Sequence, residues 1–195
     1  MVEKVVFLDI DGVLQPFTQY RFDHIQNGDM DRVYEELHQK TGVDYRQYDK
    51  YDVAAVYYDW DVHAVSELRR VLDTAAAKIV LSSSWRDETN ERMRDLFRIH
   101  GLEQYFADGT KLLEFKRDIS PYLAVLKLAD DMLYRARSVE ILLYLHEHPE
   151  IKRYVAIDDM TLKGLGEHFV QTTTRLTPEL ADRCIEVLTV AYSAG

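Results

Sequence analysis

The sequence predicts an α/β fold in which helices flank a parallel sheet of the Rossmann-like kind, with an insertion after the first strand. Three short apolar runs, at 5–8, 78–81 and 154–157, each end in polar side chains. Strands buried on both faces read as continuous apolar runs of this kind. Helical spacing separates the runs, and strand–helix alternation is typical of parallel sheets with right-handed crossovers.

Length and composition favour one domain that spans residues 1–195. The chain has 195 residues, of which 47% are hydrophobic, enough for a packed core. Cys184 is the only cysteine, so the chain forms no internal disulfide. No apolar stretch approaches the length of a membrane span, and residues 1–4 lead into a strand without a signal-peptide pattern. We therefore expect a cytoplasmic protein with no membrane partner.

The formal net charge of −10 limits the class of partner. Proteins that bind nucleic acids along their length need a basic surface to displace counterions. We expect no general nucleic-acid surface here, and any nucleic-acid role would be confined to a strand end or a single group. The sequence does not predict the oligomeric state.

The first strand, 5–8, is followed by a segment of different composition. Residues 15–58 are rich in tyrosine, aspartate and glutamate, and we interpret them as a cap-like insertion. A helix is predicted over 31–40, with Val33 and Leu37 on one face. The tyrosines fit the packing of a small subdomain better than a binding surface, and the latter interpretation stays open.

The middle of the chain alternates between helix and strand. Apolar spacing predicts a helix over 61–76, before the strand 78–81. Asp87 is a candidate cap for the next helix, and Gly101 is placed to end it.

The last third begins with a less regular region, 102–137, which Pro121 interrupts and in which a helix is predicted over 123–134. Ser138 is predicted to cap a helix that runs through His146. The strand 154–157 and a short strand at 169–170 follow. Thr177 and Pro178 then open the last helix, whose predicted inner face consists of Leu180, Cys184, Leu188 and Ala191.

The most informative residues are Asp9 and Asp11, at the end of the first strand. Residues two apart on a strand share a face, so both carboxylates point the same way. Carboxylates this close repel each other unless a cation or a proton lies between them, and Mg²⁺ prefers such oxygen ligands. Aspartate is also a competent nucleophile for phosphoryl transfer.

Polar groups end two further strands, and in open parallel sheets ligands bind beyond the carboxyl ends of the strands. Residues 82–84 are all serine, and Asp158 and Asp159 follow the strand 154–157. One crevice is therefore expected to collect all three endings.

The needs of phosphoryl transfer suggest a role for each group. Asp9 would attack phosphorus, and Asp11 would serve as general acid and then general base. The paired carboxylates of Asp9 and Asp11, with Asp158 and Asp159, are the candidate Mg²⁺ ligands, and which of the last two binds the ion stays open.

Phosphate oxygens would be bound by Ser83, or by Ser82 as the alternative. Arg86 would bind phosphate or pair with a nearby acid. Arg137 is the first choice for the cation that balances the site. The other candidates for that role are Lys116, Lys127, Arg135 and Lys152.

The arrangement resembles the haloacid dehalogenase (HAD) superfamily of phosphatases. Residues 9–13, Asp-Ile-Asp-Gly-Val, match its Asp-x-Asp-x-aliphatic signature, and Ser83, Arg137 and the pair 158–159 match its other motif positions. The resemblance implies a HAD-like fold, Mg²⁺ and an aspartyl-phosphate intermediate.

A narrower resemblance concerns 79–86, 137–145, 155–159 and 169–172, which look like the HAD domains of Swiss Army Knife RNA repair proteins. This resemblance implies a phosphatase that acts on nucleic-acid ends or nucleotides. The chain departs from the pattern in its long insertion and in carrying an arginine at 137.

Two alternatives stay open at this stage. One is a phosphatase of small phosphorylated metabolites. The other is a non-catalytic phosphate-binding or signalling domain. In receiver-type signalling domains, however, the acidic pair follows the first strand and the accepting aspartate ends a later one, the reverse of the order here.

Overall fold

A computed structural model describes residues 3–86, 90–113, 116–128 and 135–190. Within them lies a sheet of five parallel strands in the order β3-β2-β1-β4-β5. The strands are β1 (Lys4–Leu8), β2 (Lys78–Leu81), β3 (Phe106–Gly109), β4 (Arg153–Asp158) and β5 (Phe169–Gln171). The predicted parallel α/β fold is therefore confirmed, and β1 lies at the centre of the sheet.

Eight α-helices surround the sheet in the described part of the chain. They are α1 (Tyr20–Gln26), α2 (Met30–Thr41), α3 (Lys50–Ala54), α4 (Val62–Ala75), α5 (Glu91–Ile99), α6 (Lys116–Val125), α7 (Ala136–Glu147) and α8 (Pro178–Thr189). Short 3-10 turns cover Tyr45–Gln47 and Gly166–His168, and a π-helical turn covers Ala55–Asp59.

Side chains alternate across the sheet, so each face has its own apolar cluster. Val6 and Leu8 belong to the larger cluster, together with buried residues of α4, α5 and α8. Val5 and Phe7 point to the opposite face, where Ile141 of α7 packs against them. Both faces are covered, which explains why the strands read as continuous apolar runs.

The insertion packs onto this sheet through the larger cluster. Its buried residues, such as Val33, Leu37 and Tyr45, share that cluster with β1. Most of the tyrosines are buried or partly buried, as the packing interpretation expects, while Tyr20 and Tyr51 are 62% and 44% exposed. The predicted helix at 31–40 is confirmed as α2, but α1 and α3 were not predicted.

The helix predicted over 123–134 is wrong as placed. Helix α6 begins earlier, contains Pro121, and ends at Val125. Lys127 adopts a left-handed conformation (φ 54°), and Leu128 N donates to Leu123 O at 2.9 Å. This Schellman arrangement ends the helix. Residues 129–134 lie outside the described residues.

Two predicted caps also need comment. Ser138 does not cap α7, because Arg135 holds the extended cap position and its carbonyl accepts from Ser138 N at 3.0 Å. Asp87 lies outside the described residues. Gly101 does follow α5 with a positive φ of 63°, as predicted.

The other predicted elements agree with the structure to within two residues, except that α5 begins at Glu91, three residues later than a cap at Asp87 implies. Strand β3 was missed. Of the predicted inner face of α8, Cys184 and Leu188 are buried and Leu180 packs against the core, while Ala191 lies outside the described residues. No helix in the described ranges has both the length and the apolar character needed to cross a membrane.

Candidate active site

The site lies where β1 and β4 end at the same edge of the sheet. The Asp9 backbone N–H donates to the Ile157 carbonyl at 3.0 Å, which extends the strand pairing by one residue. The chain then turns sharply, because the Ile10 carbonyl accepts from Val13, Leu14 and Gln15. This turn holds both aspartates of the motif at the end of the strand.

Three carboxylates converge at this edge. One oxygen each from Asp9, Asp158 and Asp159 lies within 4.8 Å of the others. Asp9 and Asp158 are 3% and 1% exposed, and Asp159 is partly buried. The strand endings that the sequence singled out therefore meet in space.

Arg137 lies between two of these carboxylates. Its Nη1 is 2.9 Å from Asp9 Oδ2 and 2.8 Å from Asp158 Oδ2. The first turn of α7 supplies this guanidinium. The remaining oxygen of Asp158 accepts from the Met160 backbone N–H at 2.8 Å, which fixes the carboxylate in place.

Burial dominates the electrostatics of the cluster. Burial, together with the nearby Asp158 charge, raises the pKa of Asp9 to about 6, against the opposing influence of the Arg137 charge. Burial likewise raises the pKa of Asp158. Three carboxylates against one guanidinium leave an excess of negative charge in a poorly solvated place.

The donor set fits a hard divalent cation. All three groups offer carboxylate oxygens, which are the ligands that Mg²⁺ prefers. A divalent cation would also neutralise the excess charge that the cluster carries. Among the described residues, this cluster could therefore hold a metal ion.

Asp11 points to a different set of partners. Its Oδ1 accepts from Gln15 Nε2 and its Oδ2 accepts from Trp85 Nε1, both at 3.1 Å. Neither donor is charged. The two aspartates of the motif thus have separate surroundings, Asp9 among charges and Asp11 between two neutral N–H groups.

The comparison with protein families agrees with this geometry. Residues 5–179 match the family described as the HAD domain in Swiss Army Knife RNA repair proteins. The chain belongs to this family. A search of curated proteins found no match to this chain. Family membership and the buried acidic cluster together suggest a hydrolase of the HAD type.

Two serines of this HAD domain lie beside the carboxylates. Ser83 is fully buried, and its side chain is close enough to the Asp9 carboxylate to lower the pKa of Asp9. Ser82 N donates to the Leu8 carbonyl at 2.8 Å, while the Ser82 hydroxyl is buried without a partner in the described residues. Both residues lie at the site, and their contact with phosphate stays a prediction.

Arg86 forms a buried ion pair near the carboxylate cluster. Its Nη1 donates to Glu140 Oε2 at 2.8 Å and also contacts Thr110 Oγ1. The two charged side chains are 5% and 2% exposed. The sequence left two roles open for Arg86, pairing with an acid or binding phosphate, and Glu140 is the acid with which it pairs. The Arg86 side chain also lines a cleft beside Arg137.

Gly12 allows Asp159 to approach the motif loop. Its φ is +72°, and a Cβ placed on it would lie 2.7 Å from Asp159 Cβ and 2.9 Å from Asp159 Oδ2. Real Cβ atoms essentially never come this close to a neighbour. The glycine of the Asp-Ile-Asp-Gly motif is thus required both by its backbone conformation and by the position of a candidate metal ligand.

Sequence reasoning missed the residues that hold the site in place. Gln15, Glu140 and the indole N–H of Trp85 were not assigned to it. Trp85 was interpreted as core, and its ring does pack there. A local signal existed for Gln15, which lies four residues after Asp11, but the long-range pairs Trp85–Asp11 and Arg86–Glu140 leave no mark in sequence spacing.

Proposed function

We propose that this protein is a Mg²⁺-dependent phosphomonoester hydrolase that acts through an aspartyl-phosphate on Asp9. The observation that carries the proposal is the convergence of Asp9, Asp158 and Asp159 within 4.8 Å, with Arg137 against the first two. Such a site combines a nucleophile, a metal-binding set and a cation for the phosphate at one edge of the sheet.

Asp9 is the proposed nucleophile. With a pKa of about 6 it is mostly ionised at neutral pH, and burial leaves its carboxylate weakly solvated. Arg137 forms an ion pair with that carboxylate, and Ser83 lies near it. In the first step an Asp9 oxygen bonds to phosphorus, and the bond from phosphorus to the leaving oxygen breaks.

Asp11 is the proposed general acid and base. Its carboxylate is held at both oxygens, by Gln15 and Trp85, so its position is fixed relative to Asp9. Asp11 donates its proton to the leaving oxygen in the first step. It then takes a proton from the water that attacks phosphorus, and the bond to Asp9 breaks with release of phosphate.

The metal-binding set is proposed to consist of Asp9, Asp158 and Asp159, with Asp11 as the further ligand that the sequence predicts. When bound, Mg²⁺ would supply charge neutralisation on the transferring phosphoryl group. Ser83, Ser82 and Arg86 are the proposed contacts of the phosphate oxygens, and Arg137 balances charge beside the nucleophile.

We propose a phosphorylated nucleic-acid end or a nucleotide as the substrate. The family description, which refers to RNA repair, supports this choice. The net charge of −10 argues against a protein that binds a strand along its length, so recognition would be confined to the end of the strand. A small phosphorylated metabolite is the rival substrate.

The test is Mg²⁺-dependent phosphate release from an aryl phosphate, nucleoside monophosphates, and oligonucleotides phosphorylated at the 3′ or 5′ end. Asp9→Asn should abolish release, whereas Asp182→Asn, a change on the exposed surface of α8, should not. With the aryl phosphate, whose leaving group departs without a proton, Asp11→Asn should accumulate phosphorylated Asp9, seen as a mass increase of one phosphoryl group.

Each outcome decides a separate point. Preferential release from oligonucleotide ends would support the proposed substrate, and release only from small monoesters would replace it with the metabolite. Activity that survives in folded Asp9→Asn protein would remove Asp9 from its role. Absence of phosphate release from every substrate, with folded native protein, would favour a phosphate-binding or signalling domain.

A further inference from the structure

The cleft beside Arg137 adjoins the carboxylate cluster. Its volume is about 300 Å³, and it opens between the segments that follow β2 and β4 and the start of α7. The residues that matter for its chemistry are Ser84, Arg86, Arg135, Arg137, Glu140 and Met160. Three arginines therefore line one small cleft of a chain whose net charge is −10.

The arginine cleft is continuous with the reacting groups. Arg137 lines it and also contacts Asp9 and Asp158 at 2.9 and 2.8 Å. A ligand in the cleft therefore lies next to a residue that also contacts the proposed nucleophile. This position suits a part of the substrate that is close to the phosphate being removed.

The arginines differ in how their charges are compensated. Arg137 faces two carboxylates, and Arg86 faces Glu140 at 2.8 Å. Arg135 is exposed, and its contact in the described part of the chain is the neutral sulfur of Met160 at 3.3 Å. Arg135 thus offers the cleft a positive charge that no carboxylate of the described residues offsets.

Two further features of the cleft supply hydrogen-bond donors. The Nε of Arg86 is buried and has no partner among the described residues, and buried donors of this kind are rarely left unpaired in proteins. Arg135 also occupies the cap position of α7, so the first N–H groups of a twelve-residue helix begin at the cleft. All of these features favour an anion.

We infer that the arginine cleft binds a second phosphate of the substrate, namely the phosphodiester next to the terminal phosphate of a nucleic-acid strand. The inference rests on the proposed function. Arg135 and Arg137 are two residues apart, so their Cα atoms are at most about 7.6 Å apart, a span that one nucleotide bridges. Arginine binds phosphate oxygens with its planar fork of donors.

This subsite would select oligonucleotide ends over small monoesters. A monophosphate engages the carboxylate cluster, Arg137 and the proposed phosphate contacts, whereas a strand end also engages Arg135. Hydrogen bonds to charged groups contribute enough for roughly a tenfold preference. The chain would then recognise a strand end without a basic surface along its length.

The experiment compares two dinucleotides that carry the same terminal phosphate. One has a normal phosphodiester between its nucleosides, and the other has an uncharged methylphosphonate. The native protein should show a ratio of kcat/KM, normal over uncharged, of about ten. Arg135→Ala should bring this ratio close to one, and Arg183→Ala on α8 should keep the native ratio.

A binding measurement keeps the inference separate from the proposed activity. Fluorescently labelled forms of both dinucleotides are titrated into Asp9→Asn protein, with and without Arg135→Ala. The normal linkage should bind about tenfold tighter only when Arg135 is present. Hydrolysis without any preference for the charged linkage would overturn the subsite alone. Absence of hydrolysis with a preference that depends on Arg135 would overturn the proposed function and retain the subsite.

Discussion

Gly12→Ala is the change whose effect follows most directly from the geometry. The new Cβ would lie 2.7 Å from Asp159 Cβ, against an ordinary carbon–carbon contact of about 3.5–4.0 Å. Either the motif loop or Asp159 must therefore move by roughly 1 Å. The φ of +72° adds backbone strain, because alanine rarely adopts this conformation.

The two contributions can be separated with a matched variant. Gly42 ends α2 with a φ of +77°, and a Cβ placed there would meet nothing within 4 Å. Gly42→Ala should therefore cost only the strain, about 1–2 kcal/mol. Gly12→Ala should cost about 2–5 kcal/mol, since overpacking adds about 1–3 kcal/mol to the same strain.

The assay is urea unfolding of both variants and the native protein, with EDTA and with Mg²⁺. If Mg²⁺ is present at 100 times its dissociation constant, it stabilises the native protein by about 2.7 kcal/mol. A tenfold loss of affinity in Gly12→Ala would reduce that gain by about 1.4 kcal/mol. Gly42→Ala should retain the full gain. Equal stability of the two variants, or an undiminished Mg²⁺ effect in Gly12→Ala, would refute the reasoning.

Three further predictions concern the buried charges and their neighbours. In metal-free protein, the pKa of Asp9 is raised from 3.8 to about 6, so its ionisation costs stability that is absent below pH 4 and reaches about 3 kcal/mol above pH 6. Asp9→Asn should therefore be more stable than the native protein at pH 7 and equal to it at pH 4 in urea unfolding; the same difference at both pH values would contradict this. Glu140→Gln should lower stability by about 3–5 kcal/mol, because it leaves the buried Arg86 without its counter-charge. The exposed pair is the control, since Glu186→Gln should cost at most about 1 kcal/mol, and similar losses in both variants would count against a buried ion pair. Trp85→Phe keeps an aromatic ring but removes the N–H that binds Asp11; kcat for phosphate release should fall roughly tenfold with little change in KM, and an unchanged kcat would show that this bond does not position Asp11.

The sequence predicted the fold well because the fold depends on local patterns. The central strands are buried on both faces, so β1, β2 and β4 each carry an apolar run after a charged first residue, and these runs stand out against the amphipathic helices. Strand β3 lies at the edge of the sheet, and only Phe106 of its four residues is buried. Its sequence, Phe-Ala-Asp-Gly, carries neither a continuous apolar run nor a clear alternation, and the strand was missed for that reason.

The candidate site likewise has a part that local sequence patterns predict and a part that they do not. Its carboxylates come directly after predicted strands, so parallel topology alone brings Asp9 to Asp158. The donors that fix Asp11 and the acid that pairs with Arg86 come from distant segments, and nothing local marks them. Glu140 looks like an ordinary helix residue until the packing of α7 places it 2.8 Å from Arg86.

The strongly acidic composition and the proposed anionic substrate are compatible because recognition depends on local potential. Long-range repulsion by a net charge of −10 slows the approach of a polyanion and disfavours binding along a strand. At the site, by contrast, Arg86, Arg135 and Arg137 line one cleft of about 300 Å³. Within a partly desolvated cleft, charge-assisted hydrogen bonds are stronger than those on an exposed surface. On the proposed function, such a chain would repel the body of a nucleic acid and still bind its end, which is the selectivity that the proposed end-processing phosphatase requires.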